Sequence, residues 1–396
     1  MLGYELRKVV FKHINLKLIV GALLLGVIFS FFAIWSIYYV DGAGESHRGF
    51  TAPRSLVDDK SQWKGRLTDS VLLKITRTQQ EIDSKHKSDG PNQVYGEISQ
   101  SYGDIEEFIN QTLCYDIDYD PDKINQVSLE TAGKIYELRE NNIESLINEY
   151  GDTGEKAEYL RAQFKKVKTP LMYEPSDSYK SMDLYATTYG LLIVLAVAFL
   201  TVGIVSDEIN NEARFVYYST KLGRTRGAIV KISTAFILTT LLYWSCMLLM
   251  SFISFGIMGI SGGSAPIQIE ESYSIYPINY FERFLLILLS GYIASLLSSA
   301  ISMLISLKTK SALLAVSVPF VLFAGLPFIG RIMPFKKIFM VTPDQLLNVY
   351  NNIKIPGVYQ IGGVVCSQIS LIMLLYSILL IPIAFMTYRA LSKIVD

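Results

Sequence analysis

Residues 184 to 206 read LYATTYGLLIVLAVAFLTVGIVS, a run without one charged side chain. A helix needs about 20 predominantly apolar residues to cross the hydrocarbon core of a bilayer. The run is followed at once by DEINNEARFVYYSTKLGRTRGAIVK at residues 207 to 231, where acidic, basic and amide side chains alternate with apolar ones. This change of composition predicts a membrane-spanning helix that leads into a connection in water.

The composition of the whole chain agrees with a membrane protein. Of the 396 residues, 51% are apolar and only 18% are charged, whereas an ordinary soluble domain has about a quarter charged residues. This balance argues against a soluble enzyme. The 36 Lys and Arg residues equal the 36 Asp and Glu residues, so the net charge gives no reason to expect a nucleic-acid partner.

Six long apolar runs lack charged side chains, and each is long enough to cross a bilayer. We therefore predict an all-α membrane protein with six transmembrane helices. The first run is too long for a secretory signal core and lacks a small-residue cleavage site, so we interpret it as an anchor. The predicted helices are residues 17–40, 183–205, 229–260, 282–306, 311–330 and 364–387.

The positions of Lys and Arg predict the orientation. They cluster in the N-terminal segment, in the connection 206–228, in the turn 308–310 and in the tail 388–396. Short loops rich in Lys and Arg stay in the cytoplasm. We therefore expect a multi-pass protein of the bacterial plasma membrane with both termini cytoplasmic, although the outer loop 331–362 carries four basic residues against this assignment.

Two short amphipathic helices are predicted at the membrane surface. Residues 1–16 place Leu2, Leu6 and Val9 on one helical stripe, which is typical of a helix lying on membrane lipid; a frayed N-terminus is the alternative. Within the outer loop 331–362, Thr342 and Gln345 have the spacing of a capping box.

Residues 41–182 form the large insertion between the first two predicted spans. Between Asp41 and Lys180 the chain carries 26 acidic and 18 basic residues, and the segment is long enough to fold by itself. We predict an α-rich extracytoplasmic domain with a small sheet. The expected helices are residues 66–86, 97–113, 128–150 with Ser128 as cap and Gly151 as end, and 154–168, while 41–60 is expected to be irregular.

The acidic turn of the insertion alternates Asp116, Asp118, Asp120 and Asp122, as in a calcium-binding loop. Pro121 stands where such a loop needs glycine, and Val127 stands where it needs the bidentate glutamate. We therefore expect a solvated turn and no metal site.

The sequence gives little support for a catalytic role. The nearest approach to a phosphate-binding loop, Gly151 to Lys156, has the wrong spacing. No HExxH or CxxC pattern occurs, and the three histidines are scattered. We expect no enzyme activity and no cofactor in this chain. The uncharged membrane cores also weigh against an ion- or proton-coupled transporter.

The connection 206–228 has the pattern of a short amphipathic helix. Ile209, Ala213 and Val216 share one face, and Asp207 and Glu208 suit the positive end of a helix dipole. An ordinary basic cytoplasmic loop is the alternative.

This connection resembles the one between the second and third spans of type-2 ABC exporter permeases, the membrane subunits of drug, polysaccharide and bacteriocin exporters. The resemblance lies in Glu208, Glu212, the pair Ser219-Thr220, Arg224 and Lys231. Lys221 and Ala213 depart from it, since that family often has Pro and Gly there. The order of predicted segments extends the resemblance over the whole chain.

The resemblance implies that the connection is a coupling helix seated in a groove of a separate ATPase subunit. ATP and Mg²⁺ would then be bound by that partner, and two permeases, identical or paralogous, would pair with two ATPases. The implied ATPase-coupling residues are Asp207, Glu208, Glu212, Arg214, Tyr217, Arg224 and Arg226.

Polar and aromatic residues of the second and fifth spans are candidates for a substrate path, as in the resembling family. Packing between helices is the alternative for each of them. The candidates are Tyr185, Thr188, Tyr189, Thr201, Phe320 and Phe323.

The function implied is the permease of an ATP-driven exporter that exports, or confers immunity to, a peptide of the bacteriocin or lantibiotic kind. A drug, lipid or sodium extrusion permease is one alternative. A membrane-anchored sensor or mechanotransmission protein is another.

Overall fold

The computed structural model describes residues 1–85, 91–115, 118–210, 220, 222–330 and 336–393. Six of its helices are long and apolar enough to cross a membrane, so the chain is a multi-pass membrane protein. We number them spans 1 to 6. Their bounds are His13–Ser36, Asp177–Val205, Gly223–Met258, Tyr280–Thr309, Ala312–Gly330 and Gln368–Ser392.

Spans 2 and 4 form the centre of the bundle. In each, 61% of the most apolar stretch is buried, compared with 17% in spans 5 and 6. Their helices contact each other along their length, and Ser298 of span 4 donates a hydrogen bond to the carbonyl of Val194 in span 2 at 2.9 Å. Spans 5 and 6 therefore leave most of their apolar surface available to lipid or to another chain.

Tyrosine hydroxyls and glycines bring neighbouring spans together. The Tyr189 hydroxyl donates to the carbonyl of Ala22 at 2.7 Å, next to Gly26. The Tyr243 hydroxyl in span 3 reaches the backbone of span 4 at 2.6 Å, next to Gly291. A Cβ atom at either glycine would lie within 2.7 Å of the tyrosine oxygen. The absence of a side chain at each glycine leaves room for the tyrosine hydroxyl, so the interhelical hydrogen bond can form.

Side-chain caps start three of the spans. Asn279 and Glu282 form a capping box at span 4, with both hydrogen bonds at 2.8 and 2.9 Å. Ser311 and Ser367 accept hydrogen bonds from the first turns of spans 5 and 6. These polar residues satisfy amides that the helix itself leaves unpaired.

Span 5 is not a regular α-helix throughout. The α-helix Ala312–Phe320 contains Pro319 and is followed by a π-helical turn, Val321–Gly325, before Leu326–Gly330. Proline lacks the backbone donor that a helix needs, and a π turn accommodates the register change.

The insert, which we define as residues 37 to 176, joins spans 1 and 2 and is mostly helical. It has the antiparallel hairpin Tyr38–Val40 with Ser46–Arg48 and a second antiparallel strand pair, Gly65–Arg66 with Met172–Tyr173, whose strands are distant in sequence. Its helices are Ala52–Lys60, Asp69–Lys85, Pro91–Glu97, Gly103–Leu113, Lys123–Gln126, Leu129–Ala132, Ile135–Tyr150 and Gly154–Phe164, with 3-10 turns at Ser61–Trp63 and Ser99–Tyr102.

Several expected boundaries of the insert move. Residues 41–60 were expected to be irregular but contain a strand and the helix Ala52–Lys60. The helix expected over 128–150 begins at its Ser128 cap and ends at Gly151, but it is interrupted after Ala132. Gly133 and Lys134 break it because the backbone of Lys134 leaves the helical region.

Two further expectations at the membrane ends also change. Span 1 ends at Ser36 rather than at residue 40, and the helix of span 6 starts at Gln368 rather than 364, because the flanking residues pair in hairpins. The capping box expected at Thr342 does not form. The Gln345 amide donates to the backbone carbonyl of Thr342 at 3.0 Å rather than to its hydroxyl, and that hydroxyl donates to the carbonyl of Phe339 at 2.7 Å. The outer loop then contains Lys336–Phe339, a 3-10 turn Pro343–Leu347, the helix Val349–Asn352 and the hairpin Val358–Ile361 with Val364–Ser367.

The insert, the connection 259–279 and the connection 336–367 pack together at one end of the bundle, which we call the capped end. Arg139 of the insert donates two hydrogen bonds to the carbonyl of Ser272, the shorter at 2.6 Å. Ser274 in turn donates to the carbonyl of Ile353 at 3.0 Å. Connections after spans 1, 3 and 5 must share a side when the spans alternate in direction. The packing of these three connections at one end therefore agrees with six spans that alternate in direction.

Gly262 of the connection 259–279 packs closely against the backbone of the insert. Its φ is +80°, and a Cβ atom there would lie 2.1 Å from the carbonyl oxygen of Pro175. We expect Gly262→Ala to lower the free energy of unfolding by about 2 kcal/mol or more, because left-handed backbone and a backbone clash are both costly. Thermal unfolding of the purified protein in detergent checks this. Gly256→Ala in span 3, with nothing within 4 Å of the added Cβ, is the control and is expected to be neutral or stabilising.

Candidate functional site

The end of the bundle opposite the capped end carries the predicted ATPase-coupling connection. The helix of span 2 continues without a break beyond Val205 to Asn210. The chain returns through a π-helical turn, Gly223–Gly227, directly into the helix Ala228–Met258. Arg226 in this turn is exposed and Arg224 is half-buried. The side chains of Asp207 and Glu208, and the residues Glu212, Arg214 and Tyr217, lie outside the described residues, so their roles stay predictions.

A buried ion pair fixes the N-terminal helix to this end. Lys231 of span 3 is fully buried, and its ammonium lies 3.1 Å from Glu5 and 3.4 Å from the carbonyl of Ile204. Glu5 belongs to the helix Leu2–Val10. One side chain therefore joins the N-terminal helix, the end of span 2 and the start of span 3. A charge at this depth is stable only with such partners.

Two of the predicted substrate-path residues line one cavity. Thr188 of span 2 and Phe323 of span 5 both contribute to a cavity of about 390 Å³ between these spans and the 3-10 turn Pro343–Leu347. Its walls are mostly apolar, and Thr187, Gln345 and Asn348 add polar atoms. This size and lining lie in the range of small-molecule sites.

The other four residues of the predicted path lie elsewhere. Tyr189 and Thr201 are fully buried, and their hydroxyls bond to backbone carbonyls, so both have a packing role. The Tyr185 ring packs against Phe29 of span 1. Phe320 is 53% exposed and is not part of the cavity lining.

Asp344 is the acidic residue of that cavity and was not anticipated. It is only 4% exposed, and its Oδ1 atom has no hydrogen-bond partner among the described residues. Its other oxygen accepts a hydrogen bond from the Gln345 side chain at 2.8 Å. Burial raises the pKa of the Asp344 carboxyl above its usual range. In the sequence, Asp344 lies inside the capping pattern from Thr342 to Gln345, and that pattern accounts for an acidic residue there without any binding role.

At the capped end, a chain of ion pairs joins the insert to span 2. Lys60 lies 2.9 Å from Asp104 and 2.7 Å from Asp177, and Lys180 lies 2.8 Å from the second oxygen of Asp104. Tyr173 also donates to Asp104 at 3.0 Å. Burial alone would raise the pKa of the Asp104 carboxyl, but the two lysines outweigh it and hold this pKa far below the usual range. The same carboxylates keep the pKa of Lys60 above its ordinary value despite burial.

Arg283 of span 4 is a fully buried charge at the capped end. Its Nε atom lies 2.6 Å from Asp183 of span 2, and both side chains are fully buried. Its Nη1 atom lies 2.8 Å from Glu270, a contact with the distance of an ion pair but without hydrogen-bond geometry. Its guanidinium carbon lies 4.8 Å and 5.3 Å from the ring centroids of Tyr280 and Tyr350. Burial raises the pKa of Glu270, but Arg283 and two lysines together lower it.

These buried charges were not predicted because each lies at the edge of an uncharged run of sequence. Asp183 and Arg283 each stand one position before an uncharged run and were treated as the ends of spans 2 and 4. The helices in fact begin earlier, at Asp177 and Tyr280, so Asp183 lies in the second turn and Arg283 in the first turn of a long helix. Their pairing joins positions 100 residues apart, which periodicity cannot detect.

A potential metal-binding cluster lies on the first hairpin of the insert. Ligand atoms of Asp41, Glu45 and His47 fall within 4.8 Å of one another. Both Asp41 oxygens are already used, one by the amides of Ala43 and Glu45 and the other by His47 at 2.7 Å. The hydrogen bond from His47 lowers the pKa of Asp41. The arrangement is that of a closed turn.

Of the predicted acidic turn, Asp116 lies outside the described residues, and Asp120 accepts a hydrogen bond from the amide of Asp122.

Comparisons with known proteins add no relative: no protein-family model, no curated protein and no solved structure matches the chain.

Removing one partner of the Asp183–Arg283 pair tests its role. We expect Arg283→Met to lower the free energy of unfolding by about 3–5 kcal/mol, because it leaves buried carboxylates without a counter-charge. Asp183→Asn with Arg283→Met should recover part of this loss, which a double-mutant cycle in chemical unfolding measures. Arg161→Met, in the exposed pair with Glu144, is the control and should cost less than about 1 kcal/mol. Equal costs for the two arginine variants would contradict a structural role for the buried pair.

Proposed function

We propose that this chain is the permease subunit of an ATP-driven exporter, with the connection 206–228 as its contact to a separate ATPase. The supporting observation is the construction of the bundle end from which this connection leaves. There the Lys231–Glu5 pair joins span 2, span 3 and the N-terminal helix. Span 2 continues as a helix to Asn210, and the π-helical turn Gly223–Gly227 leads directly into the helix Ala228–Met258 of span 3.

This construction suits the transmission of force. A displacement of the connection would move span 2 and span 3 as continuous helices, because buried ion pairs and close helix packing resist bending at their ends. The orientation that goes with the proposal places this end in the cytoplasm of a bacterial cell and the capped end, with the insert, outside. The basic residues Arg224 and Arg226 in the π turn agree with that side.

The cargo we propose is a peptide of the bacteriocin kind, and the working unit has two permeases and two ATPases. The cavity lined by Thr188, Phe323 and Asp344 lies beside span 5, much of whose surface is exposed. A second permease packed on that surface would extend the cavity into a path between two copies.

Charge reversal in the connection tests the proposal. We expect Glu208→Lys with Glu212→Lys to abolish co-purification with a candidate ATPase subunit, because a groove that binds acidic side chains would repel lysines. ATP hydrolysis of the detergent-purified complex is the second measurement, and it should lose its dependence on the permease.

The matched control places the same two reversals on the insert, as Glu137→Lys with Glu140→Lys, where both side chains are exposed. This variant should keep the ATPase bound. A wild-type chain that binds no ATPase, or a connection variant that binds as well as the wild type, would contradict the proposal and favour a sensor or scaffold.

A further inference from the structure

A cleft of about 580 Å³ opens between the insert and the start of span 2. Its upper wall is formed by insert helices, including Lys60 and the helix Gly103–Leu113. Its lower rim is formed by Ile37 and by Leu184, an exposed apolar residue of span 2. The cleft therefore begins beside the membrane-spanning surface and leads to charged side chains of the insert.

The charges around the cleft do not balance. Four carboxylates line it, and only two lysines accompany them, Lys60 and Lys180. Both lysines are already held by Asp104 and Asp177 at 2.7 to 2.9 Å. An anionic ligand would have to break these buried pairs. The surplus of two negative charges favours a cation.

Glu106 is the acidic group available to such a cation. Among the described residues its carboxylate has no hydrogen bond or ion pair, whereas its neighbour Glu107 accepts hydrogen bonds from Gln111 and Tyr119. Asp177 contributes a second oxygen, Oδ2, that is buried and has no hydrogen-bond partner. Two residues with an unpaired carboxylate oxygen therefore line the same cleft.

Aromatic rings complete the lining. Tyr95 and Tyr119 are 38% and 50% exposed, and both lie along the cleft. The face of an aromatic ring attracts a cation and also covers apolar surface. By contrast, the Tyr350 ring at the base of the cleft already carries Arg283 and Lys354.

From the cleft's position, its surplus of carboxylates and its exposed tyrosines, we infer that it binds an amphiphilic organic cation that reaches it from the membrane surface. The charged group lies against Glu106 and Asp177, and the apolar part lies along Ile37 and Leu184. The inference goes beyond the proposed export function, because binding is a property of this chain alone.

The test uses two ions of the same size and shape, tetraphenylphosphonium and tetraphenylborate, which differ in the sign of the charge. The full chain in nanodiscs of zwitterionic lipid is dialysed against each ion, with empty nanodiscs as the blank. We expect saturable binding of the phosphonium and none of the borate. Glu106→Gln should weaken phosphonium binding about tenfold at pH 8, since it removes one partly buried charge next to the ligand. Glu137→Gln, at an exposed position outside the cleft, should leave it unchanged.

The dependence on pH gives a second readout that does not require a variant to fold. Burial, together with Glu107 and Asp122, raises the pKa of Glu106 to about 7. Asp104, Asp177, Lys60 and Lys180 also face the cleft. Glu106 is therefore mostly protonated and neutral at pH 6 and mostly ionised at pH 8. The phosphonium keeps its charge throughout, so wild-type affinity should fall severalfold from pH 8 to pH 6, and Glu106→Gln should lose this change.

Absence of saturable phosphonium binding, equal binding of the borate, or a Glu106→Gln variant that matches the wild type at both pH values would each overturn the inference. None of these results depends on an ATPase. Failure of the coupling experiment and failure of this one are therefore separate outcomes.

Discussion

The capped end of this protein depends on the placement of one guanidinium group. Arg283 lies in span 4, yet its partners come from three other segments: Asp183 from span 2, Glu270 from the connection 259–279, and the ring of Tyr350 from the loop before span 6. Burying a charge is costly unless it is paired, and losing one partner costs more than the pair contributes. The segments must therefore stay together for the arginine to remain inside. This requirement explains how loops distant in sequence form one cap over the central pair of spans.

Span 2 is held by ion pairs or polar contacts near both of its ends. Near its start, Lys180 and Asp177 belong to the chain of pairs that includes Lys60 and Asp104 of the insert. Near its other end, the carbonyl of Ile204 contacts Lys231, which is paired with Glu5. A helix restrained in this way moves as a unit rather than bending locally. A force on the connection 206–228 would thus reach the insert through span 2, and a ligand in the insert cleft would act on the same helix from the opposite end. If binding at one of these two sites changes the affinity of the other, thermodynamic linkage requires the change to be equal in both directions.

Hydropathy alone located the six spans, because a bilayer demands length and apolar composition and little else. The insert was predicted less well, since its elements depend on partners distant in sequence. Residues 38–40 extend an apolar run, yet they form a strand because Ser46–Arg48 offers hydrogen bonds across a tight turn. Thr342 had the right spacing for a capping box, but the segment forms a 3-10 turn in which the Gln345 amide donates to the backbone carbonyl of Thr342 rather than to its hydroxyl. The ion pairs were the least predictable feature, because Asp183 and Arg283 differ in no local respect from charges that end a helix in water.

The candidate sites were likewise predicted only in part from the sequence. Thr188 and Phe323 were selected as polar or aromatic residues in apolar helices, and they share a cavity only because spans 2 and 5 pack side by side. Tyr189 and Thr201 matched the same criterion, but they do not line this cavity, and their hydroxyls donate to backbone carbonyls. Thr188 also donates its hydroxyl to a backbone carbonyl, that of Leu184, so its hydrogen bond does not set it apart. What distinguishes a candidate site from packing is therefore a cavity whose lining includes an acidic residue with an unpaired acceptor, such as Asp344 or Glu106, and that property belongs to the folded chain rather than to its sequence.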